Sequence, residues 1–266
     1  MAVSLIISTN KPVSILGYFE KYIQKNKSIN EVILIGPRQK NEKLIVKKIN
    51  YKFIKSLKKP SECLDYAIKF SSNKMFVSIP DDVTFDTDDC FDQLYELKIN
   101  YPNTIFSTRY FINNENFTKD LVLDSELNLK PEYKDLIIPL CPIINKSDYY
   151  AVGGIDTNLI HSYWDVDLIL RILQLKKYKV KMTLIGLIEK KDSSATLHSN
   201  YGLIDKEYFY NKWFQELSIN DISKKTINNK FILHKWYIEI GFIQKILSFR
   251  IFELIINKLN NTLMRI

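Results

Sequence analysis

Met75-Phe76-Val77-Ser78-Ile79-Pro80-Asp81-Asp82-Val83 joins a short apolar run to a pair of adjacent carboxylates. Residues 75–79 have the length and apolar content of a buried strand. The acids fall at its C-terminal end, the edge at which open α/β sheets bind ligands. Two carboxylates there suit a divalent cation, Mn2+ or Mg2+, which takes hard oxygen ligands and can bridge a diphosphate. Pro-Asp-Asp is equally ordinary turn chemistry, so this segment alone leaves both readings open.

The residues before it repeat the same pattern. Val3-Ser4-Leu5-Ile6-Ile7-Ser8 is a β-branched run that reads as a first buried strand, and residues 13–25 carry Ile15, Phe19, Tyr22 and Ile23 at helical spacing. Glu31-Val32-Ile33-Leu34-Ile35 reads as a second strand closed by Gly36-Pro37, residues 44–49 as a third, and residues 61–71 as a helix with Ser61 as N-cap. Strands alternating with helices predict a mostly parallel sheet with flanking helices. Beyond Asp89 the reading is a helix over 89–97, a strand over 104–112, and a polar loop or hairpin over 113–134. A helix over 163–177, a strand over 179–188 and a helix over 205–217 follow. No internal repeat or linker marks a domain break before about residue 219, so residues 1–218 form one domain and 219–266 a tail.

A second chemical segment is Gly153-Gly154-Ile155-Asp156, followed by Tyr163-Trp164-Asp165-Val166-Asp167-Leu168-Ile169-Leu170-Arg171. Asp165 sits at a helix start whose following residues point into a core, so a rigid element can present its carboxylate to a cleft as a general base. An acid that merely complements the helix N-terminus would look the same. Asp167 and Arg171, four apart, read as a structural surface pair.

Composition narrows the class. Of the 266 residues 46% are apolar and 26% charged, as in ordinary globular chains, so neither disorder nor a disulfide scaffold is indicated. Cys63, Cys90 and Cys141 are widely spaced and read as reduced, and no Cys or His spacing suits structural zinc. The N-terminus lacks a basic region and a cleavage site, and no stretch approaches the roughly 18 apolar residues of a membrane span, which places the chain in the cytoplasm. A net charge of +8 favours anionic partners. No nucleic-acid-binding motif appears, so nucleic acid is not the expected partner.

In order and spacing these segments resemble the inverting glycosyltransferases of the family 2 type, over about residues 1–215. The resemblance implies a GT-A fold, Rossmann-like with a mostly parallel central sheet, and a nucleotide-sugar donor. It also implies one displacement at the anomeric carbon, with Asp165 as base. The family's Asp-x-Asp position reads Pro80-Asp81-Asp82, which makes Asp82 the metal ligand and turns Asp81 toward the ribose or a metal-bound water. Ser8, Thr9 and Asn10, at the end of the first strand, fall in the donor site. The second strand lacks the family's base-contacting Asp, and Arg38 is placed to meet phosphate instead. Trp164 stands where the family has Glu and is suited to stacking on a sugar. Gly153 and Gly154 match a substrate-binding turn, His198 matches a histidine near the metal or diphosphate, and Lys212 with Trp213 matches a segment near acceptor and diphosphate. With a composition rich in Ile, Asn and Lys, as in AT-rich bacterial genomes, the family points to capsule, lipopolysaccharide or other surface glycan assembly. Two rival readings are a catalytically inactive scaffold of the same fold and a basic nucleic-acid-binding protein.

Residues 230–266 carry six basic residues against Glu239 and Glu253, interleaved with many apolar ones. Amphipathic helices of this kind suit the anionic inner face of a membrane, which a lipid-linked acceptor would make useful. Packing back on the domain, or pairing as a homodimer, is the alternative use of the same faces.

Overall fold

A computed structural model describes residues 2–9, 12–37, 49–112, 115–116, 122–123, 141–175, 177–189 and 196–214. The elements of the first half are β1 (Val3–Ser8), α1 (Pro12–Lys25), β2 (Ile29–Gly36), β3 (Asn50–Lys55), α2 (Pro60–Phe70), β4 (Met75–Ile79), β5 (Val83–Phe85) and α3 (Cys90–Asn100). The second half holds β6 (Thr104–Ile112), β7 (Glu115–Asn116), β8 (Val122–Leu123), β9 (Ile144–Asn145), α4 (Lys146–Ala151), α5 (Trp164–Leu173), β10 (Lys179–Glu189) and α6 (Thr196–Phe214).

Strands order as β3-β2-β1-β4-β9 in one sheet, the first four parallel and β9 antiparallel to β4. A second sheet runs β5-β10-β6-β7, with β8 also on β10 and with β10 and β6 parallel. The mixed α/β architecture expected from the alternating pattern is therefore present.

The central strands read as unbroken apolar runs because both faces are covered. On one face Leu5, Ile7, Val32, Leu34, Val77 and Ile79 pack with Phe19, Tyr22, Phe91 and Leu94 of α1 and α3. On the other, Ile6, Ile33, Ile35 and Phe76 meet Leu64, Ala67 and Ile68 of α2 and Leu168, Ile169 and Ile172 of α5. This alternation, set by the two-residue period of a strand, fixes α5 directly over the sheet. All three cysteines are free and buried.

Several elements differ from the sequence reading. The strand beside β2 is Asn50–Lys55; of the expected 44–49 only Ile49 is described, and it is outside the strand. β3 is an edge strand and half-exposed, so it alternates polar and apolar residues instead of forming a run. Helix α2 begins at Pro60 with Lys59 as N-cap, so Ser61 lies inside the helix instead of capping it. α5 ends at Leu173, short of the expected 177, and α6 starts nine residues before the expected 205. The hairpin expected beyond 112 is represented by β7, antiparallel to β6. Asn10, Arg38, most of 113–140 and the whole tail from 215, with the proposed boundary at 218, lie outside the described residues. Among the described residues no helix is long and apolar enough to cross a membrane.

Candidate active site

From β1 the chain steps outward to β2 and β3, then crosses to β4 on the opposite side, so the strand order reverses between β1 and β4. Such a switch point leaves a crevice beyond the carboxyl ends of the two strands. Thr9 stands at one lip and Asp81 at the other, and the Thr9 hydroxyl donates to Asp81 Oδ2 at 2.8 Å. Thr9 is held there by its N–H bond to Ile35 O, 2.9 Å. The neighbouring Gly36 leaves no room for a side chain, because a Cβ would stand 1.8 Å from Thr9 O. The Ser8 hydroxyl, buried beside Thr9, has no hydrogen-bond partner among the described residues. Asp82 is exposed, and directly after it the chain leaves the first sheet to pair Val83 with Glu189 of β10. The two acids thus occupy the passage from one sheet to the other.

The segment that leads into α5 forms the other wall, with hydrogen bonds to α2 and α6 behind it. After α4 and its C-cap Val152 come Gly153 and Gly154, both at φ +81°. A side chain at Gly154 would approach Asp65 Oδ1 to 2.8 Å and the Tyr149 hydroxyl to 3.0 Å. These glycines close a turn against α2, where Asp65 also accepts from the Ile155 N–H at 3.2 Å. Asp156 then accepts from the Tyr208 hydroxyl and from Lys212, at 2.9 and 2.8 Å. Burial pushes its carboxyl up, but Lys212, the Asn158 N–H and Tyr208 together hold it below the usual carboxylate range.

Next, the backbone N–H groups of Ile160, His161 and Ser162 converge at 2.8 Å each on the fully buried carboxylate of Asp205 in α6. Tyr163 follows in the left-handed region, φ 62° and ψ −2°, a conformation costing a non-glycine residue about 1–2 kcal/mol. Its ring stacks on Phe209 at 5.1 Å. Helix α5 starts immediately afterwards and presents Asp165.

Asp165 lines a cavity of about 250 Å³ together with Tyr163, Trp164 and His161 of its own segment and Ser78 and Pro80 from the end of β4. The wall thus runs from the base candidate to the residue preceding Asp81. The lining is mainly apolar and includes Phe76, Ile144 and Leu168. Burial lifts the Asp165 carboxyl to about 6, opposed by the Val166 N–H at 2.9 Å and by its own backbone N–H. The titratable neighbours in the same wall are His161, Tyr163 and the buried thiol of Cys141, which burial and then the Asp165 charge push well up.

Asp167 behaves differently. Its pairing with Arg171 exists, at 2.8 Å, but it is not a surface pair: Asp167 is fully buried. Lys212 at 2.6 Å and the Trp213 indole N–H at 3.0 Å cover its other oxygen. Lys212 therefore bridges Asp156 and Asp167. Lys212, Trp213, Gly153 and Gly154 are not among the residues lining this cavity, and Lys212 ties Asp156 to Asp167. His198 belongs to α6, but its side chain lies outside the described residues. Among the described residues no group of three or more His, Cys, Asp or Glu gathers to hold a metal ion. A pair such as Asp81 and Asp82 fits a cation that completes its shell with phosphate and water, the usual habit of Mg2+.

The sequence reading missed Asp205, His161 and the left-handed Tyr163. An Asp four residues before Phe209, and so on the same helix face, is the one sequence signal that points toward the first.

No family model and no curated protein matches the chain. Solved structures do. Residues 1–349 of TarS from S. aureus superpose with a TM-score of 0.56 over 88% of this chain and 72% of that one, at 9% identity. The fold is similar to that of TarS. A longer TarS chain gives 0.54, with the match spanning 44% of its length. TarS 1–349 has also been solved with UDP and with UDP-GlcNAc, and those complexes match at 0.55 and 0.54 with 10% identity. At this identity the likeness is one of fold.

Proposed function

We propose that this chain is an inverting glycosyltransferase that moves a sugar from a nucleotide-sugar donor to a glycan or lipid-linked acceptor in bacterial surface polysaccharide assembly. The observation that carries the reading is the cavity shared by Asp165, its carboxyl lifted to about 6, and the end of β4 that leads into Asp81-Asp82. Support comes from the fold's likeness to TarS, whose solved complexes contain UDP and UDP-GlcNAc.

In the proposed reaction the acceptor hydroxyl approaches the anomeric carbon from the Asp165 side. As the new C–O bond forms, the hydroxyl proton passes to the Asp165 carboxylate. The bond from the anomeric carbon to the donor diphosphate breaks with its electron pair on phosphate oxygen. A base titrating near 6 is ionised at neutral pH yet still basic enough to take that proton, the compromise general-base catalysis favours. Burial keeps the carboxylate poorly solvated, and Trp164 offers a flat face for the sugar. Asp82, with Asp81 beside it, would hold a divalent cation whose charge offsets that of the leaving diphosphate. Thr9 orients Asp81, and the buried Ser8 hydroxyl is available to the nucleotide. The same reading takes the tail to the inner membrane surface.

Thermal denaturation in the presence of Mn2+ and a panel of nucleoside diphosphates and UDP-GlcNAc tests donor binding. A ligand at a hundredfold its Kd stabilises the native state by about 2.7 kcal/mol, so at least one diphosphate is expected to raise the melting temperature. Indifference to the whole panel would remove the donor site. Binding without any turnover would favour the inactive scaffold.

A further inference from the structure

We propose that Asp205 and Phe209 of α6 are positioning residues: from one face of that helix they hold the 160–163 turn that delivers Asp165 into the cavity. The proposal rests on the reading of Asp165 as the base.

Three successive backbone N–H groups lie ahead of α5 without partners in a helix or strand. One carboxylate collects them all: Asp205 Oδ1 takes Ile160, and Oδ2 takes His161 and Ser162. Convergent N–H groups of this kind form an anion-binding concavity, and here the anion is supplied by the chain itself. Asp205 is completely buried, so its desolvation is offset only if all three bonds persist. Burial lifts its carboxyl, and the three donors and the nearby Lys59 oppose that lift.

The residue after this clamp is the strained one. Tyr163 has φ 62°, and a strained backbone persists only where its surroundings over-determine it. The second hold is independent of the first: the Tyr163 ring lies on Phe209, 5.1 Å between centroids and 23° from parallel. Asp205 and Phe209 are four residues apart and so share a helix face. Tyr163 O in turn accepts the Asp167 N–H at 2.9 Å, the first turn of α5, which fixes where Trp164 and Asp165 point. Released from Asp205 and Phe209, Tyr163 relaxes toward negative φ and the Trp164–Asp165 end of α5 opens to water, while Asp167 stays tied to Lys212 and Trp213.

The test uses the full chain. Asp205→Asn keeps size but loses the charge that gathers three donors, and Phe209→Leu keeps an apolar side chain but loses the stack. In each, the 13C carboxyl signal of Asp165, assigned by its loss in Asp165→Asn, is titrated, and amide exchange is followed at residues 160–162 and in β1. The wild type is expected to titrate near 6. In both variants the midpoint should fall by about one pH unit or more as water reaches the acid, and exchange at 160–162 should quicken on the order of tenfold while β1 stays protected. Should Asp205→Asn fail to fold, Phe209→Leu reads the same midpoint. An unmoved Asp165 midpoint in folded variants, despite rapid exchange at 160–162, overturns the proposal, because a merely structural clamp would leave the acid alone. With UDP-GlcNAc as donor, a full-rate Asp165→Asn enzyme would remove the base reading and with it the purpose of the turn. An inactive Asp165→Asn with an unmoved midpoint in the α6 variants would overturn the positioning alone.

Discussion

Replacing Asp165 with Asn should make the protein more stable and less active at once, with the gain in stability depending on pH. The carboxyl rises from an ordinary 3.8 to about 6 because its wall is apolar. At 1.36 kcal/mol per pH unit of displacement, keeping it ionised costs the native state about 3 kcal/mol as an upper bound. Between pH 3.8 and 6 the native state holds this proton more tightly than the unfolded chain. Stability therefore falls as pH rises through that window and levels off above it. Asn keeps the shape and can still accept the Val166 N–H, but it carries no charge to desolvate. The stability gap in favour of Asp165→Asn should be small at pH 4.5 and widen by about 2 kcal/mol at pH 7.5, somewhat less where solvent reaches the half-buried group. Urea denaturation of both proteins at the two pH values measures it. A gap that does not grow with pH, or a variant less stable at pH 7.5, would refute the argument that burial sets the reactivity of this acid.

Three further outcomes follow from the same geometry. Asp167→Asn leaves Arg171 and Lys212 facing an uncharged group and should cost about 3 kcal/mol, well above the 0.2–0.5 kcal/mol of an exposed helix pair; urea melts decide between them. Gly154→Ala drives a methyl toward Asp65 and Tyr149 at φ +81° and should destabilise by roughly 1–3 kcal/mol, measurable by calorimetry. Asp82→Ala removes an exposed side chain, so stability without ligand should change by less than about 1 kcal/mol while Mn2+-dependent nucleotide affinity is lost; unchanged affinity by titration calorimetry would relieve Asp82 of the metal.

How far the sequence reaches depends on where each signal is written. β1, β2 and β4 are legible because strands covered on both faces are apolar along most of their length. β3 is not, because an edge strand needs only Tyr51 and Phe53 on one side and tolerates Lys52, which pairs with Glu31 at 2.8 Å. Asp165 stands out as an acid at the start of an amphipathic helix. Asp167 with Arg171 is visible from the spacing, but its burial is not, since the covering Lys212 and Trp213 arrive from α6, more than forty residues on. Asp205 is the hardest case. Its partners are backbone N–H groups, which every residue but proline possesses and no residue type announces. A lone Asp at the expected start of a helix therefore reads as a terminal acid, and only the longer α6 turns it into a buried clamp.

The most direct test of the central claim is turnover of a nucleotide-sugar that the thermal panel shows to bind, followed by release of the nucleoside diphosphate at pH 7.5 with Mn2+ for the wild type and Asp165→Asn. The proposed chemistry requires the wild type to release diphosphate in the presence of acceptor and the variant to do so about 10²- to 10⁴-fold more slowly with donor affinity little changed. Equal rates for the two proteins would contradict Asp165 as the base.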